Sequence, residues 1–600
     1  MLKDIICVVD FGGQYTHLIA NRVRRLGVYS KIVESPARRE DFKGCSGVIL
    51  SGGPSSVLSS NSPDIGDWIF SLGVPLLGLC YGHQLLAWKL GGNIDKGEQS
   101  EFGTALMDVV QKDNSLFKGL EEKEQIWMSH GDSVSELPES YEVLGSTKEC
   151  RAAAVAAPGR DIYGLQFHPE VTDTPNGMKI LSNFLDICGC ARTWTKKNFL
   201  QELVDDVKEK CEGKSVFLLV SGGVDSSVAF ALMNKALGSE RVYGLHIDNG
   251  LMRHRESEEI LEYMGRNGFD NLKVYDASEE FLDVLKNVSD PEEKRYIIGT
   301  EFIKVKERAQ KGMGLNADDW LLAQGTIYPD TIESSGTKHA DKIKTHHNRV
   351  DVIIELMEKG LVIEPLNKLY KDEVRELGKE LGLPGELVLR HPFPGPGLGV
   401  RTLCSDGEIF ATEKGTSEKI SSIAGEEGLN ATVLPVKSVG VQGDERSYAH
   451  PALVTGEADW ETLERVSTRM TNSCRDINRV VYGVDLPDGP EYTIEKAFVT
   501  KSRLDKLRMA DHYVREVLFE TGEYKDVWQM PVVLLPLLDS KGQECIVLRP
   551  VASTEAMTAR FYPMARQSLE MMAQRIRGVR GIGDIFFDIT HKPPATIEWE

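Results

Sequence analysis

The chain has 600 residues, of which 41% are hydrophobic and 27% charged, and its formal net charge is −21 at pH 7. This length and composition predict a soluble globular protein of roughly three or four domains. The negative charge argues against nucleic acid as a partner, because binding a polyanion normally needs a basic face, but it leaves room for a local basic pocket.

The amino-terminal residues predict an α/β sheet. Short apolar runs indicate buried strands over residues 5–10, 47–50 and 74–79, with a helix over residues 14–25. Strands that alternate with helices form parallel sheets. The first apolar run is typical of a core strand and not of a signal peptide, and no run approaches the ~18 residues of a membrane span. We therefore expect no membrane partner.

Cysteine usage points to the cellular compartment. The ten cysteines are scattered and include no CxxC pair. This pattern fits a reducing cytoplasm and neither a zinc site nor a disulfide framework. We therefore expect a cytoplasmic protein.

The strand at residues 74–79 ends in the sequence GLCYG and leads into a helical stretch. Glycines on both sides of Cys80 permit the sharp turn of a nucleophile elbow, and a helix N-terminus favours the thiolate. The simpler interpretation is a small core residue at a strand end. A nucleophile needs a base, and the sequence QFHPE supplies one. His168 can deprotonate Cys80, and Glu170 can orient the imidazole.

The motifs GLCYGHQ, SGGP (residues 51–54) and QFHPE together resemble the class I glutamine amidotransferase family over about residues 1–190. The resemblance implies that Cys80 attacks the amide of glutamine, with His168 and Glu170 completing the catalytic triad. It also implies that residues 129–132 (SHGD) lie near the substrate. The residues it assigns to the oxyanion and to glutamine are Gly53, the backbone at Tyr81, and Gln84.

A second motif, SGGVDSS at residues 221–227, follows an apolar run at residues 215–220, and a helical pattern resumes at Val228. Two glycines let backbone N–H groups converge on oxyanions at a helix start, and Asp225 can hold magnesium on bound phosphates. The simpler interpretation is a helix N-cap in an α/β loop. The motif resembles the SGGxDS loop of the ATP pyrophosphatases, which implies ATP as co-substrate. The predicted ATP-binding residues are Ser221, Gly222, Gly223, Val224, Asp225, Ser226 and Ser227.

The rest of this region predicts a second parallel sheet. Residues 242–248 form its next strand, whose acidic end lies where ligands bind in this architecture. Polar residues 322–333 and the basic residues 344–347 suit a pocket lining or a loop. The histidines at 339, 346 and 347 are not expected to bind metal, because adjacent histidines share no useful face.

The sequence HPFPGPGLGVR (residues 391–401) holds three prolines and three glycines, which predicts a domain boundary or a hinged lid. Together with LAQGTIYPDTIES and the closing KPPATIEWE, it makes the whole chain resemble the glutamine-hydrolysing GMP synthase family. In that family ATP adenylates XMP at its C2 oxygen, and ammonia from glutamine displaces AMP. The resemblance assigns XMP binding to Arg295, Asp459, Gln529, Lys592, Ile597 and Glu598. Two departures from the family pattern, Tyr296 and His591, could alter nucleotide affinity.

The expected fold class is α/β, with two parallel-sheet α/β domains followed by a duplicated α+β C-terminal module. The predicted domains are an amidotransferase (1–193), an ATP pyrophosphatase (194–390), a lid and linker (391–430), a first C-terminal module (431–490) and a second C-terminal module (491–600). Each module is predicted to contain strand, strand, helix and strand, with Pro435 of the first matching Pro531 of the second. Relatives with one copy of this C-terminal module form homodimers through the module, as the resemblance implies. Two copies favour a monomer with an internal pseudo-dimer; the alternative is a homodimer through the second module.

Other functions remain as alternatives. One is an amidating synthetase with a carboxylate or deamido-dinucleotide acceptor, against which the KPPATIEWE tail argues. Another is an RNA-modifying enzyme, which would need a basic face and usually reactive cysteines. A third is a non-catalytic nucleotide-binding regulator, which the complete triad argues against.

Overall fold

In a computed structural model of the chain, the described residues are 4–13, 15–59, 62–139, 141–194, 196–312, 320–328, 330, 359–408, 412–442, 445–486, 489–553 and 559–600. They fall into two compact units that meet in sequence between residues 203 and 204. Among these residues, none of the helices combines the length and the apolar character that a membrane crossing requires.

The first unit is built on a nine-stranded mixed sheet with the order β2-β1-β3-β4-β9-β8-β7-β5-β6. Its strands are β1 (Ile5–Asp10), β2 (Tyr29–Glu34), β3 (Gly47–Leu50), β4 (Leu76–Leu79), β5 (Asn93–Val109), β6 (Lys123–Glu136), β7 (Glu142–Ser146), β8 (Ala154–Ala157) and β9 (Ile162–Leu165). The helices are α1 (Thr16–Arg25), α2 (Tyr81–Lys89), α3 (Gly177–Ile187) and α4 (Lys196–Lys210), the last of which contains the division between the units.

The predicted parallel sheet forms only half of this unit. From β2 to β9 all neighbouring strands are parallel, whereas β9, β8, β7, β5 and β6 pair antiparallel. Strand β4 lies in the middle of the sheet, and all four of its residues are buried. The elbow at Cys80 therefore stands at the carboxyl end of a central strand.

The second unit begins with a parallel five-stranded sheet of order β12-β11-β10-β13-β14. Its strands are β10 (Ser215–Leu219), β11 (Val242–Asp248), β12 (Leu272–Asp276), β13 (Trp320–Ala323) and β14 (Val362–Ile363). The helices are α5 (Val224–Leu237), α6 (Glu256–Arg266), α7 (Ser278–Val284), α8 (Pro291–Gly312), α9 (Lys371–Glu380) and α10 (Gly385–Val388). Helix α5 starts four residues before the predicted Val228, because Gly223 already serves as its N-cap.

A second sheet, of eight strands, follows in the same unit, with the order β15-β17-β18-β24-β21-β20-β19 and β16 paired to β17. Its strands are β15 (Asn430–Val433), β16 (Ser438–Gln442), β17 (Glu445–Thr455), β18 (Ile477–Gly483), β19 (Thr493–Ile494), β20 (Val532–Leu538), β21 (Glu544–Leu548) and β24 (Ile582–Asp588). A separate pair consists of β22 (Val551–Ala552) and β23 (Arg560–Phe561). The helices are α11 (Thr416–Gly425), α12 (Trp460–Ser473), α13 (Lys501–Thr521) and α14 (Arg566–Arg577).

The strand pairing of this sheet supports the predicted duplication. In the first module β17 runs parallel to β18, and in the second module β21 runs parallel to β24. Val454 faces Tyr482 in one pair and Leu548 faces Phe587 in the other. Tyr482 and Phe587 themselves face each other where β18 meets β24 antiparallel. The two modules are therefore related by a pseudo-two-fold axis at this residue pair.

The predicted alignment of the two modules is wrong by five residues. Val433 faces Ala452 in the first module, and Leu534 faces Ile546 in the second. These pairings make Pro435 equivalent to Pro536, not to Pro531 as predicted. Residues 434–437 separate two strands here, since β15 ends at Val433 and β16 begins at Ser438. Helices α11 and α13, which precede the corresponding strands, were not predicted.

Candidate functional site

The backbone at Cys80 has the geometry of a nucleophile elbow. Its φ of 49° and ψ of −105° are sterically unfavourable for a residue with a Cβ. The turn depends on Gly78 and Gly82: a Cβ at Gly78 would lie 2.5 Å from the Gly82 carbonyl oxygen, and one at Gly82 would lie 2.3 Å from that of Leu50. The strained turn places Cys80 directly before the first residue of α2.

His168 and Glu170 are both buried and form a pair in which Nδ1 lies 2.7 Å from Oε1. The imidazole also hydrogen-bonds the Cys80 side chain. Burial lowers the pKa of His168, but the attraction of Glu170 and the bond to Cys80 outweigh it and raise that pKa to about 10. The three side chains are thus arranged as a nucleophile, a base and a carboxylate that orients the base.

Polar groups surround the Cys80 sulfur. Gln166 Nε2 donates to Sγ at 3.7 Å, and the Ser129 carbonyl oxygen lies 3.6 Å from it. Gln84 donates through Nε2 to the Asp132 carbonyl oxygen at 2.7 Å and to Gln166 Oε1 at 3.2 Å. The predicted glutamine-binding residue Gln84 therefore holds both the SHGD segment and Gln166 in place.

The predicted oxyanion residues lie on either side of the elbow. Gly53 is packed so closely that a Cβ there would lie 2.8 Å from the Phe11 carbonyl oxygen. Tyr81 is the first residue of α2, where backbone N–H groups have no partner within the helix. A Cβ on the neighbouring Gly52 would lie 3.2 Å from His168 Cε1 and 3.6 Å from Cys80 Cβ, so the SGGP turn borders the triad.

Sequence reasoning assigned no role to several residues around the triad. The Tyr15 ring packs edge-on against His168 at 5.0 Å between centroids, and Arg22 Nε donates to the Glu170 carbonyl oxygen at 3.0 Å. Gln166 belongs to the QFHPE motif, but no role was predicted for it. The one available signal for Gln166 was its position two residues before His168.

In the second unit, residues 221–227 (the phosphate loop) join β10 to α5. Gly222 has a φ of +82°, which favours glycine. Ser226 Oγ lies 3.1 Å from Ser221 Oγ and donates to the Gly223 carbonyl oxygen at 3.1 Å. A Cβ at Gly325, after β13, would lie 2.9 Å from the Ser226 nitrogen. The loop is therefore closed by its own hydroxyls and by a glycine of the neighbouring strand.

Lys371 of α9 lies over this loop, with Nζ 2.5 Å from Asp225 Oδ2. Asp225 Oδ1 is buried and has no hydrogen-bond partner among the described residues. A buried carboxylate oxygen without a partner, in the first turn of a helix, fits the oxygen ligands that a magnesium ion takes. Within the described part of the chain, no group of three or more His, Cys, Asp or Glu residues could hold a metal by itself.

A cavity of about 280 Å³ opens next to the phosphate loop. Its wall includes Asn249 and Met252 after β11, Phe302 of α8, and residues 390–395 of the segment predicted as a lid. Arg390 donates through Nη1 to the Gly222 carbonyl oxygen at 2.8 Å. Sequence reasoning missed Lys371 and Arg390, since nothing in their local sequence marks them as partners of a loop about 150 residues away. The predicted pocket residues beyond Asp330, including the three histidines, lie outside the described residues.

Residues 592–600, the tail, follow β24 and carry three predicted XMP contacts, Lys592, Ile597 and Glu598. Arg401 holds the Glu598 carboxylate with both Nε and Nη2, at 3.0 and 2.8 Å. Gln529 donates to the same carboxylate at 3.3 Å. The structure thus brings two of the predicted residues, Gln529 and Glu598, into direct contact.

The other predicted XMP residues contact other parts of the second unit. Arg295 donates to the Glu600 carbonyl oxygen at the end of the tail, and Lys592 pairs through its backbone with Ala559. Asp459 is exposed and caps α12 by accepting from the Thr462 nitrogen at 2.8 Å. Of the two departures, Tyr296 is exposed.

The other departure, His591, joins the tail to the first module. Its Nε2 lies 2.7 Å from Glu464 Oε1 on α12, and its ring stacks on Phe561. The helix that Asp459 caps therefore touches the tail next to Lys592.

The tail is held by a buried charged cluster in which both modules take part. Asp588 of β24 accepts from Arg479 at 2.9 Å, from Arg549 at 2.8 Å and from the Trp599 indole at 3.0 Å. Arg479, from the first module, also donates to the Glu598 carbonyl oxygen at 2.7 Å. The pseudo-two-fold makes Gly483 the equivalent of Asp588, so the first module cannot form the same cluster around its own strand.

The chain matches three protein-family models in succession. The model described as glutamine amidotransferase class-I covers residues 7–188, that of NAD synthase covers residues 195–301, and that of the GMP synthase C terminal domain covers residues 426–496 and 516–599. These ranges contain the Cys80 site, the phosphate loop, and Gln529 with nearly all of the tail, respectively.

Curated relatives match far more of the chain than any one of these models. A "Probable GMP synthase [glutamine-hydrolyzing]" from Leptospira interrogans is 47% identical over 99% of each chain. The GMP synthase [glutamine-hydrolyzing] of Symbiobacterium thermophilum is 44% identical over 82% of this chain and 99% of its own length. That of Staphylococcus saprophyticus is 42% identical over 82% and 98%. The chain therefore belongs to the glutamine-hydrolysing GMP synthase family.

Proposed function

We propose that the chain makes GMP from XMP, ATP and glutamine. ATP adenylates the C2 oxygen of XMP with release of pyrophosphate, and ammonia from glutamine then displaces AMP. The observation that carries the proposal is the occurrence, in one chain, of the Cys80 triad and of a phosphate loop at the start of a parallel-sheet helix. The two sites suit one reaction, because a carbonyl oxygen leaves only after activation and neutral ammonia must be generated for the attack.

In the proposed glutaminase step, Cys80 attacks the amide carbon of glutamine, and His168 accepts the thiol proton at Nε2. Nδ1 is held by Glu170, which fixes the tautomer. The N–H groups at Gly53 and Tyr81 stabilise the oxyanion. His168 returns the proton to the departing ammonia, and water then hydrolyses the thioester to give glutamate. Gln84 acts in this scheme by fixing the SHGD segment and Gln166.

In the proposed adenylation step, the phosphate groups of ATP lie against the seven residues of the phosphate loop at the N-terminus of α5. Asp225 is the proposed magnesium ligand, and a bound magnesium ion would neutralise charge on the pyrophosphate leaving group. Lys371, now paired with Asp225, is positioned to move onto a phosphate when the metal binds. The cavity beside the loop accommodates the nucleoside.

The proposed XMP site is formed by the tail. The carboxylate of Glu598 accepts purine N–H groups, and Ile597 packs against the base. Arg295 and Lys592 supply the positive charge for the phosphate, and Asp459 adds a polar contact from the first module. The contact between Gln529 and Glu598 and the ion pair with Arg401 support this assignment.

We propose the domain boundaries given by the sequence and a monomeric enzyme in the cytoplasm. The Symbiobacterium thermophilum relative aligns over 99% of its own length but over only 82% of this chain. This difference agrees with an added module in this chain. The pseudo-two-fold in the eight-stranded sheet supports an internal pseudo-dimer. All ten cysteines are free, which suits a reducing compartment.

The proposal is tested by separating the two nitrogen sources. Cys80→Ala is expected to abolish GMP formation from glutamine and to leave synthesis from added ammonium at the wild-type rate, because the thiolate only releases ammonia. The measurement is GMP formation with each source, with Cys150→Ala as a control that removes a buried thiol elsewhere in the same unit. Loss of both activities in a folded Cys80→Ala protein would contradict the division of labour.

A further inference from the structure

A chain of buried charged residues leads away from the phosphate loop. Arg390, which donates to the Gly222 carbonyl oxygen, also pairs with Glu256 of α6. Glu256 in turn accepts from the Arg253 backbone nitrogen at 2.7 Å, and all three residues are less than 10% exposed. A change of charge at the phosphate loop therefore acts on Arg390, which is already paired with Glu256.

The series of charged residues continues through Asp511 of α13, which is 2% exposed. Asp511 Oδ2 lies 3.4 Å from Arg253 Nε, and Oδ1 lies 3.9 Å from Arg401 Nη1. The Phe393 ring lies between the same two arginines, with their guanidinium carbons 4.3 and 5.1 Å from its centroid. Asp511 thus attracts an arginine on each side.

The series of charged residues ends at the tail, where Arg401 binds the Glu598 carboxylate. Three arginines (253, 390 and 401) alternate with three acids (Glu256, Asp511 and Glu598), so the series is neutral as a whole. In a buried region such charges interact strongly, and each one depends on its neighbours. The series leads from the proposed ATP site to the proposed XMP site, and its link from Glu256 to Arg253 consists of the backbone hydrogen bond and the attraction between the two charges.

Asp511 is the member of the series best able to change partners. Its Oδ2 is buried without a hydrogen-bond partner among the described residues, and its ion pairs with the two arginines have distances of 3.4 and 3.9 Å. A small shift towards one arginine strengthens that pair and weakens the other. Burial lowers the pKa of Arg253 to about 10 against the attraction of Asp511, which agrees with an incompletely satisfied cation.

We propose that Asp511 is a positioning residue that makes ATP binding at the phosphate loop and XMP binding at the tail mutually favourable. The inference rests on the proposed placement of these two ligands. Phosphate at the loop attracts Arg390 away from Glu256, which then draws Arg253 away from Asp511. Asp511 turns to Arg401, which loosens its hold on the Glu598 carboxylate and frees it to accept purine N–H groups. Coupling between two binding sites is reciprocal, so XMP favours ATP by the same factor.

The test is calorimetric titration of XMP into the full chain with magnesium, in the presence and absence of α,β-methylene ATP, which cannot be split between its α and β phosphates. In the wild type, we expect saturating analogue to raise XMP affinity about tenfold. Asp511→Asn keeps the shape but removes the charge, so each ligand should still bind alone while the coupling disappears. Asp511→Glu restores the charge and should restore coupling.

A matched control lies on β21, against the same helix. Glu544→Gln removes the buried acid that pairs with Arg503 and Lys506 of α13, at 2.5 and 2.8 Å, and Glu544 lies outside the charged series. This variant should keep the tenfold coupling, and its thermal unfolding calibrates the cost of losing a buried acid that pairs with this helix. Should Asp511→Asn not fold, Arg253→Lys, which keeps the charge without the guanidinium fork, is expected to reduce the coupling.

The outcomes separate this inference from the proposed function. Wild-type coupling in Asp511→Asn, equal loss of coupling in Glu544→Gln, or independent binding of the two ligands to the wild type would each overturn the role of Asp511 alone. Failure of the wild type to bind XMP or the analogue singly would overturn the proposed ligand placement, and this inference with it.

Discussion

At the scale of single residues, the glutaminase site depends on how Glu170 sets the charge of His168. Burial by itself would keep the imidazole neutral, yet the carboxylate at 2.7 Å and the bond to Cys80 raise its pKa to about 10. A histidine pKa raised in the folded state stabilises the fold fully below its ordinary pKa of 6.5 and loses that contribution as the pH rises through about 10.

Glu170→Gln tests this arrangement. Without the carboxylate, the pKa of His168 falls, and the imidazole loses its orientation. We expect the glutamine-dependent rate to drop about 100-fold or more, since general-base catalysis contributes effects of that size. The ammonium-dependent rate should not change. Steady-state rates with each nitrogen source check this, and the stability lost by the wild type between pH 6.5 and 10 should be smaller in the variant.

The control for this variant is Glu142→Gln, on an exposed part of β7. It should leave both rates and the pH dependence of stability unchanged. A glutamine-dependent rate equal to wild type in Glu170→Gln would show that the carboxylate does not support the base.

At the scale of secondary structure, the early start of α5 has a functional consequence. Because the helix begins at Val224, the second half of the SGGVDSS motif forms its first turn, and Asp225 stands at the positive end of the helix dipole. The carboxylate therefore lies beside the site proposed for the phosphates of ATP.

Asp225→Ala should remove XMP-dependent release of pyrophosphate from ATP with either nitrogen source, by about 100-fold or more, as for other single groups that stabilise developing charge. Cys80 chemistry should remain available. Asp283→Ala, which removes an exposed acid paired with Lys286 at 2.6 Å, serves as control. Pyrophosphate release at the wild-type rate in Asp225→Ala would place the ATP phosphates elsewhere.

The elements that the sequence predicted well are those with a strong local signal. Strands β1, β3 and β4, strand β11 and helix α12 are marked by continuous apolar runs or clear periodicity. Helix α13 was missed because its buried positions alternate with many charges, including Arg503 and Asp511, that are themselves buried. Local pattern treats a charge as exposed, so buried ion pairs hide such a helix.

The residues of the candidate sites also divide into those with a strong local signal and those without one. Cys80, His168 and the phosphate loop lie in short motifs, from which the sequence alone predicts a role for them. Lys371 and Arg401 act on residues about 150 to 200 positions away, a separation at which one sequence carries no contact signal. The five-residue error in aligning the modules arose because the second module has two prolines five residues apart, and Pro435 was matched to Pro531, whereas strand pairing makes it equivalent to Pro536.

At the scale of the whole molecule, the pseudo-two-fold predicts the oligomeric state. The edge that a single module would offer to a second subunit is already filled, since β18 pairs with β24 within one chain. An intramolecular partner acts at an effective concentration that a separate subunit does not reach. We expect a monomer of 66.7 kDa by light scattering at micromolar concentration. A mass of twice that value, unchanged on dilution, would show that the second module still dimerises.

The central claim is that nitrogen from the glutamine amide reaches C2 of XMP after activation by ATP. Mass spectrometry of a reaction with amide-¹⁵N glutamine, ATP and magnesium tests it most directly, with XMP, IMP and deamido-NAD offered as acceptors. The account predicts GMP carrying one ¹⁵N, together with AMP, pyrophosphate and glutamate, and no change in IMP or deamido-NAD. Amidation of deamido-NAD while XMP stays unchanged would contradict it.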